Sequence, residues 1–318
     1  MSDRSREISV SCAILASVAF SLNDASVKWL SGDYPLHQLI LMRSIVALLL
    51  TLSIVVPLEG GWSRLRTRRP MMHVLRGCCV VLANLAFFSG IAVIPLAEAT
   101  AVFFVAPLLV TGFSALFLKE RVGVRRWSAL AVGFIGVLVI VQPGAVEFRW
   151  AMLLPIVAAV GYATLHTITR NMGLTERAST MALYIQLTFI AVCSVMGLVF
   201  GSGQFAGTGN PAIDFLLREW AWPPTEDLAV IVGLGVCSAA GGYLISQAYR
   251  LGEAGLVAPF EYGTLVLAVV WGYVIWNELP GTWSALGILL VLGSGIYVAI
   301  RETSFGALPG AKRISGRR

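Results

Sequence analysis

The chain has 318 residues, of which 57% are hydrophobic and only 13% charged, whereas a soluble domain carries about 25% charged residues. With a mean hydropathy of +0.81, this composition excludes a water-soluble enzyme and a disordered chain, and it places the protein in a bilayer. The net charge of +6 does not point to nucleic acid, because the basic residues sit in short gaps between apolar runs, the distribution expected of cytoplasmic loops.

A helix needs about 20 mostly apolar residues to span a membrane, and backbone groups in hydrocarbon must be satisfied internally, so such a chain crosses as helices. Ten stretches qualify in chain order: 8–30, 37–57, 71–94, 97–118, 127–142, 151–170, 179–201, 228–249, 255–276 and 283–300. The first carries Asn23 and Asp24 and runs to Leu30, so it reads as a spanning helix and not as a cleaved signal. The fifth is short. Compact joints such as Ser31-Gly-Asp-Tyr-Pro35, Gln142-Pro-Gly144 and Asn277-Glu-Leu-Pro-Gly281 stop helices. The long connection 202–227, with Phe215, Leu216, Trp220 and Trp222, reads as an interfacial piece lying on the membrane surface. Cys12, Cys78, Cys79, Cys193 and Cys237 all fall in apolar stretches without a CxxC pair, so neither a disulfide framework nor a metal site is expected.

Most of the 23 basic residues, including Arg64, Arg66, Arg68, Arg69, Lys119, Arg121, Arg125, Arg126, Arg177 and the tail from Arg301, fall on one side if the N-terminus is cytoplasmic. The positive-inside rule then puts both termini in the cytoplasm. The second half of the chain also repeats the first. Phe117-Leu-Lys-Glu120 followed by Trp127-Ser-Ala-Leu130 recurs as Ile275-Trp-Asn-Glu278 followed by Trp283-Ser-Ala-Leu286, and Phe20…Asp24…Lys28 lines up with Tyr162…His166…Arg170. Five helices per half is an odd number, so the halves insert with opposite orientation. The expectation is an all-α polytopic membrane protein of two inverted five-helix repeats, 8–142 and 151–300, with a basic cytoplasmic tail at 301–318.

These features resemble the drug/metabolite transporter superfamily, and within it the EamA-type carriers made of two five-helix repeats. The resemblance covers roughly residues 8–302 and rests on Leu118-Lys-Glu120, Asn277-Glu-Leu-Pro280, Pro107 and Arg301-Glu302. The ninth span departs from the pattern: Leu265 stands where the first half has Pro107, and Ala258-Pro-Phe-Glu-Tyr262 carries its proline six positions earlier. That motif looks like a subgroup containing S-adenosylmethionine uptake carriers. The superfamily also holds amino-acid exporters, riboflavin importers and nucleotide-sugar carriers, so the resemblance implies transport and leaves the cargo open.

Ionisable groups inside spans are costly and are functional candidates by default. Depth along each helix, at about 1.5 Å per residue, sorts them into an outer cluster of Asp24, Lys28, Arg43 and Glu98 and an inner cluster of Arg76, His166, Arg170 and Glu261. Asn84 sits near mid-membrane, with Gln186, Tyr243 and Gln247 toward the inner side, and Phe87, Phe88, Phe103, Phe104, Tyr162, Phe260 and Tyr262 as aromatic walls. Asp24 and Lys28 form an i, i+4 pair that either neutralises helix one for insertion or gates it. Arg43 snorkels, pairs with Asp24 or meets a substrate carboxylate. His166 is either a proton-linked group or a packing histidine. Glu261 is the strongest candidate, to bind a cation or take a coupling proton. Glu120 and Glu278 read as structural, making capping contacts with the next helix.

The expectation is a secondary transporter, not an enzyme, moving a small amino-acid-like, cationic or zwitterionic metabolite across the inner membrane by alternating access. The alternatives are an anionic or flavin-like solute held by Arg43, Arg76 and the aromatic walls, and a non-transporting scaffold. No cofactor, metal or nucleic acid is expected; the partners are the substrate, the lipid bilayer and a coupling proton, with a monomer or homodimer as the assembly.

Overall fold

The computed structural model describes residues 3–58, 67, 69–117, 123–143, 149–172, 178–251, 257 and 260–306. Expectations on Leu118-Lys-Glu120, Arg121, Arg64, Arg66, Arg68, Arg177, Pro259 and the tail from 307 lie outside the described residues, as do the side chains of Arg126, Arg170, Arg301 and Glu302.

Among the described residues every regular element is helical. Helix α1 is Asp3–Leu30, and α2 is Leu36–Leu50, continued by a π turn at Thr51–Val55 and a last turn at Val56–Leu58. Helices α3 (Pro70–Ile91), α4 (Leu96–Phe103), α5 (Ala106–Phe117) and α6 (Val124–Val141) follow. A 3-10 turn at Trp150–Met152 leads into α7 (Leu153–Met172), then α8 (Ala178–Phe200) and the short α9 (Pro211–Leu217). The chain closes with α10 (Thr225–Leu251), α11 (Gly263–Trp276) and α12 (Thr282–Gly306). Among the described residues, seven helices, counting α4 and α5 as one run, are long and apolar enough to cross a membrane, and three shorter apolar helices accompany them at Trp127–Val141, Gly263–Trp276 and Thr282–Val298.

Three local departures from plain helix have identifiable causes. Pro57 has no N–H for the carbonyl of Ser53 and its ring crowds that turn, so the helix widens to a π turn just before it. Pro107 likewise cannot donate to the carbonyl of Phe103, and the expected fourth span breaks at Phe104–Val105 into α4 and α5. Asn277 ends α11 in the left-handed region at φ 54°, a conformation that asparagine tolerates better than most residues. Its N–H bonds the carbonyl of Tyr273 at 3.0 Å and that of Glu278 bonds Gly272 at 2.9 Å. These two bonds satisfy orphan carbonyls and turn Glu278 back toward the bundle. Of the ninth span, expected from 255, residues 257, 260 and 261 are helical and α11 runs from Gly263.

The helices pair across the two halves of the chain. Helix α1 packs on α10 and α11, α3 on α7 and α8, α2 on α10 and α8, α7 on α4 and α5, α4 on α11, and α6 on α12. Small residues permit the closest crossings. Where α6 meets α12, a Cβ at Gly287 would lie 2.6 Å from the Gly136 carbonyl oxygen, and one at Gly136 would lie 2.9 Å from that of Gly287. Backbone cannot yield as a flexible side chain can. Gly287→Leu is therefore expected to cost about 1–3 kcal/mol and to lower the unfolding midpoint in detergent. Gly293→Ala, with nothing within 4 Å, should be neutral; equal midpoints for the two variants would refute the crossing.

The 202–224 connection differs from a segment lying freely on a surface. Phe215 is fully buried, and α9 packs on α3 and α2, so the segment is docked onto the bundle while Trp222 stays exposed. Asp214 closes the preceding loop by accepting from the Thr208 N–H at 2.9 Å, the Thr208 hydroxyl at 2.9 Å and the Gly207 N–H at 3.1 Å. The Thr208 bonds lead in holding its carboxyl below the ordinary carboxylate range. A lowered folded value means the stabilisation is present above that range and is lost as pH falls through the lowered value. Protection of the Gly207 and Thr208 amides, relative to their intrinsic exchange rates, is expected to be lost only as pH falls below the ordinary carboxylate range; loss of protection already near neutrality would contradict this.

Candidate functional site

One end of the bundle, which carries the turns at 31–35, 92–95 and 277–281, is tied by polar contacts. Lys28 is 8% exposed and pairs through Nζ with Glu278 Oε2 at 2.7 Å. The same nitrogen donates to the Ile94 carbonyl at 3.2 Å and lies 4.9 Å from the Trp276 ring centre. Buried Glu98 accepts from Arg149 Nη2 at 2.6 Å and from the Ser284 hydroxyl at 2.7 Å. A cavity of about 440 Å³ lies here, lined by Lys28, Ser31, Ile94, Arg149, Trp276 and Glu278 among others. The long connection adds to this latch. Gln38 exchanges two bonds with the backbone of Ala221 at 2.6 and 3.2 Å, Arg218 donates to the carbonyls of Ser31 and Gly32, and His37 lies 3.0 Å from the carbonyl of Leu216. Tyr34 donates to Asp227 at 2.6 Å; burial, then that carboxylate, push its hydroxyl up to about 12. The phenol therefore stays protonated, and the contact persists until pH rises through that value.

Two expectations change here. Lys28 does not pair with Asp24 one turn away; its long side chain reaches Glu278 at the far end of the chain. Glu278 is correspondingly a partner of the first helix, not a cap on the next one, because the left-handed turn at Asn277 redirects it.

Deeper in the bundle, Asp24 and Arg43 form a second group, so the four residues expected as one outer cluster are split. Arg43 is buried, donating through Nη1 to Asn23 Oδ1 at 3.4 Å and through Nη2 to Asn84 Oδ1 at 3.1 Å. Its guanidinium carbon lies 5.5 Å from the ring centres of both Phe88 and Phe189, within cation–π range. Asn23 Nδ2 in turn donates to Asp24 Oδ1 at 3.2 Å.

From Phe88 a chain of rings crosses the interior. Phe88 meets Phe87 at 5.5 Å, Phe87 meets Phe103 at 5.1 Å, and Phe103 meets Tyr162 at 5.3 Å. Phe103 also meets Phe104 at 6.1 Å, and Phe104 meets Tyr262 at 5.1 Å. The break between α4 and α5 is what aims two neighbouring phenylalanines at two tyrosines from other helices. Glu261 is half-buried, and its charge acts on both Tyr162 and Tyr262. His166 stacks on Tyr162 at 4.3 Å and feels the charge of Arg76, which donates through Nε to the Thr169 hydroxyl at 2.7 Å. His166 itself is exposed. Tyr243 accepts from Gln247 at 2.7 Å, one turn apart on α10.

Reading from sequence overlooked Asn23, Phe189, Arg149 and Ser284. An amide beside a carboxylate inside an apolar span was a usable signal for Asn23. The others gave none, since their roles depend on which helices become neighbours.

The EamA-like transporter family matches residues 7–142. Similar proteins include a riboflavin transporter of Rhizobium johnstonii, 28% identical over 91% of this chain and 90% of that protein. An S-adenosylmethionine uptake transporter of Rickettsia bellii is 25% identical over 93% and 94%. An uncharacterized transporter of Helicobacter pylori is 31% identical over 92% and 94%. A protein of known crystal structure superposes with a TM-score of 0.64, covering 95% of this chain and 98% of its own at 19% identity, which shows a shared fold. The family and the relatives are transporters, not enzymes, and with its apolar helices the chain is a multi-pass membrane protein. A transporter relative at 31% identity along nearly the whole chain, together with the match over the first half, makes this protein a member of the EamA-like transporter family.

Proposed function

We propose that the protein is a secondary transporter carrying a small polar organic metabolite, cationic or zwitterionic, across the bacterial inner membrane by alternating access. Its moving parts are two inverted five-helix halves, 8–142 and 151–300, which supply ten spans. The helix pairings support this: advancing each span by five turns the α1–α10 contact into α7–α3, α2–α10 into α8–α3 and α1–α11 into α7–α4/α5, while α2–α8, α4–α11 and α6–α12 map onto themselves. Many carriers are built this way, with the site at discontinuous helices between the repeats. The latch end lies outside, both termini lie inside, and a monomer suffices because one chain contains both halves.

The observation that carries the reading is interior charge. Asp24 and Glu261 are only half-buried inside an aromatic-walled core, and His166 is exposed. Carboxylates so placed suit a cationic group, and the imidazole suits a coupling proton. Uptake of S-adenosylmethionine by a relative fits this chemistry. A second reading, a flavin-like solute stacked on the phenylalanines, is favoured by the riboflavin-transporting relative. Proteoliposomes given labelled S-adenosylmethionine or riboflavin, with and without a pH gradient, separate the two. Saturable S-adenosylmethionine uptake that unlabelled riboflavin does not compete is expected; saturable riboflavin uptake alone would install the second reading.

A further inference from the structure

The charges of Asp24 and Arg43 attract one another, yet no ion pair joins them among the described residues. The Asn23 amide stands between, donating to Asp24 Oδ1 at 3.2 Å and accepting from Arg43 Nη1 at 3.4 Å. Opposite charges that fold side by side in an apolar interior normally collapse onto each other, because direct contact best offsets their desolvation. Here each keeps unused capacity. Arg43 spends two of its five N–H groups on Asn23 and Asn84, and its buried Nε has no hydrogen-bond partner among the described residues. Asp24 is half-buried and, among the described residues, bonds only through Oδ1. Two rings, Phe88 and Phe189, flank the guanidinium and hold it in place without neutralising it.

We infer that Asp24, Asn23 and Arg43 form a clamp for an α-ammonium-carboxylate head group, Arg43 taking the carboxylate and Asp24 the ammonium. The inference rests on the transporter reading above and narrows its substrate class to solutes bearing a free amino-acid head. A cationic solute without a carboxylate would leave the guanidinium with its buried donors unmet, at the cost of an unsatisfied charged group. A neutral flavin would leave both charges unmet. A zwitterion answers both at once and adds no net charge to the site. Asn23 sets the spacing, and Asn84 fixes the guanidinium plane from α3, a helix on which neither charged residue lies.

The test is competition in proteoliposomes. Labelled S-adenosylmethionine is the probe; unlabelled S-adenosylmethionine, its decarboxylated analogue, methionine and methioninamide are the competitors. In the unmodified protein, loss of the carboxylate from either pair is expected to weaken competition at least tenfold. In Arg43→Gln, the intact competitors should fall to the level of their truncated counterparts, so that the carboxylate no longer matters. Arg43→Lys, which keeps the charge and guards against a variant that fails to fold, should recover part of the discrimination; N-acetylmethionine, a fifth competitor without the ammonium, should compete worse than methionine in the unmodified protein and equally in Asp24→Asn. If truncated and intact competitors are equal in the unmodified protein, or if Arg43→Gln leaves their ratio unchanged, the clamp is wrong. Riboflavin uptake without any uptake of S-adenosylmethionine or competition by methionine also overturns the clamp, while leaving transport standing. Absence of flux for every solute defeats both.

Discussion

Glu278→Gln is expected to loosen the latch end and to raise labelling there by an impermeant thiol reagent about tenfold, measured at Ala92→Cys in a background without native cysteines. Lys28 is 8% exposed, and Glu278 is its carboxylate partner at 2.7 Å. Glutamine keeps the shape and can still accept a bond, but the charge-assisted part is lost. A hydrogen bond to a charged group contributes about 1.5–3 kcal/mol net, and Glu278, a third exposed, belongs at the lower end because solvent screens it. About 1.4 kcal/mol is tenfold in an equilibrium, hence the expected change in the sealed-to-open ratio. The pair joins α1 to the turn after α11, so it holds the two halves together at one end only. The charge-reversed double variant Lys28→Glu with Glu278→Lys should bring labelling back toward the starting level. If Glu278→Gln labels no faster, the pair is a static staple and opening uses another seam, of which the Glu98 bonds to Arg149 and Ser284 are the next in line.

The helices were legible because the length of an apolar run is set by the bilayer, and among the described residues each expected span overlaps helix. In the ninth, expected from 255, residues 257, 260 and 261 are helical and α11 runs on from Gly263, so the described part follows the apolar run. The break at Phe104–Val105 was signalled by Pro107. The candidate site was only half legible. Counting residues from a helix end gives depth, and depth grouped Asp24, Lys28, Arg43 and Glu98; it says nothing of azimuth or of side-chain reach. Lys28 and Asp24 share a face, but a four-carbon stem let the amine leave for Glu278. Asn23 carries no charge and so does not stand out among ionisable groups, although among the described residues it bonds both Asp24 and Arg43. Glu278 could be assigned to Lys28 only once α1 and α11 were neighbours.

Glu261→Gln is expected to reduce transport kcat/KM about a hundredfold while leaving the unfolding midpoint almost unchanged. The side chain is half-buried, and its charge reaches Tyr162 of α7 and Tyr262, whose rings meet Phe103 and Phe104 at the broken helix. A half-buried carboxylate whose charge acts on rings from two helices stands where a cation or a proton could meet it. Glutamine has the same volume, so packing against the tyrosines survives, whereas an interaction with a buried cationic group would lose about 2–5 kcal/mol. The middle of that range corresponds to two decades or more. Glu261→Asp, which keeps the charge and shortens the reach, should recover part of the rate. The pattern of loss assigns the role. If Glu261 binds substrate, KM rises and exchange of labelled for unlabelled substrate fails along with net flux. If it carries the coupling proton, exchange persists while accumulation driven by a pH gradient disappears, because exchange needs no change of protonation. Full activity in Glu261→Gln would make the residue a packing group and leave Asp24 and Arg43 as the charged pair on which substrate binding depends.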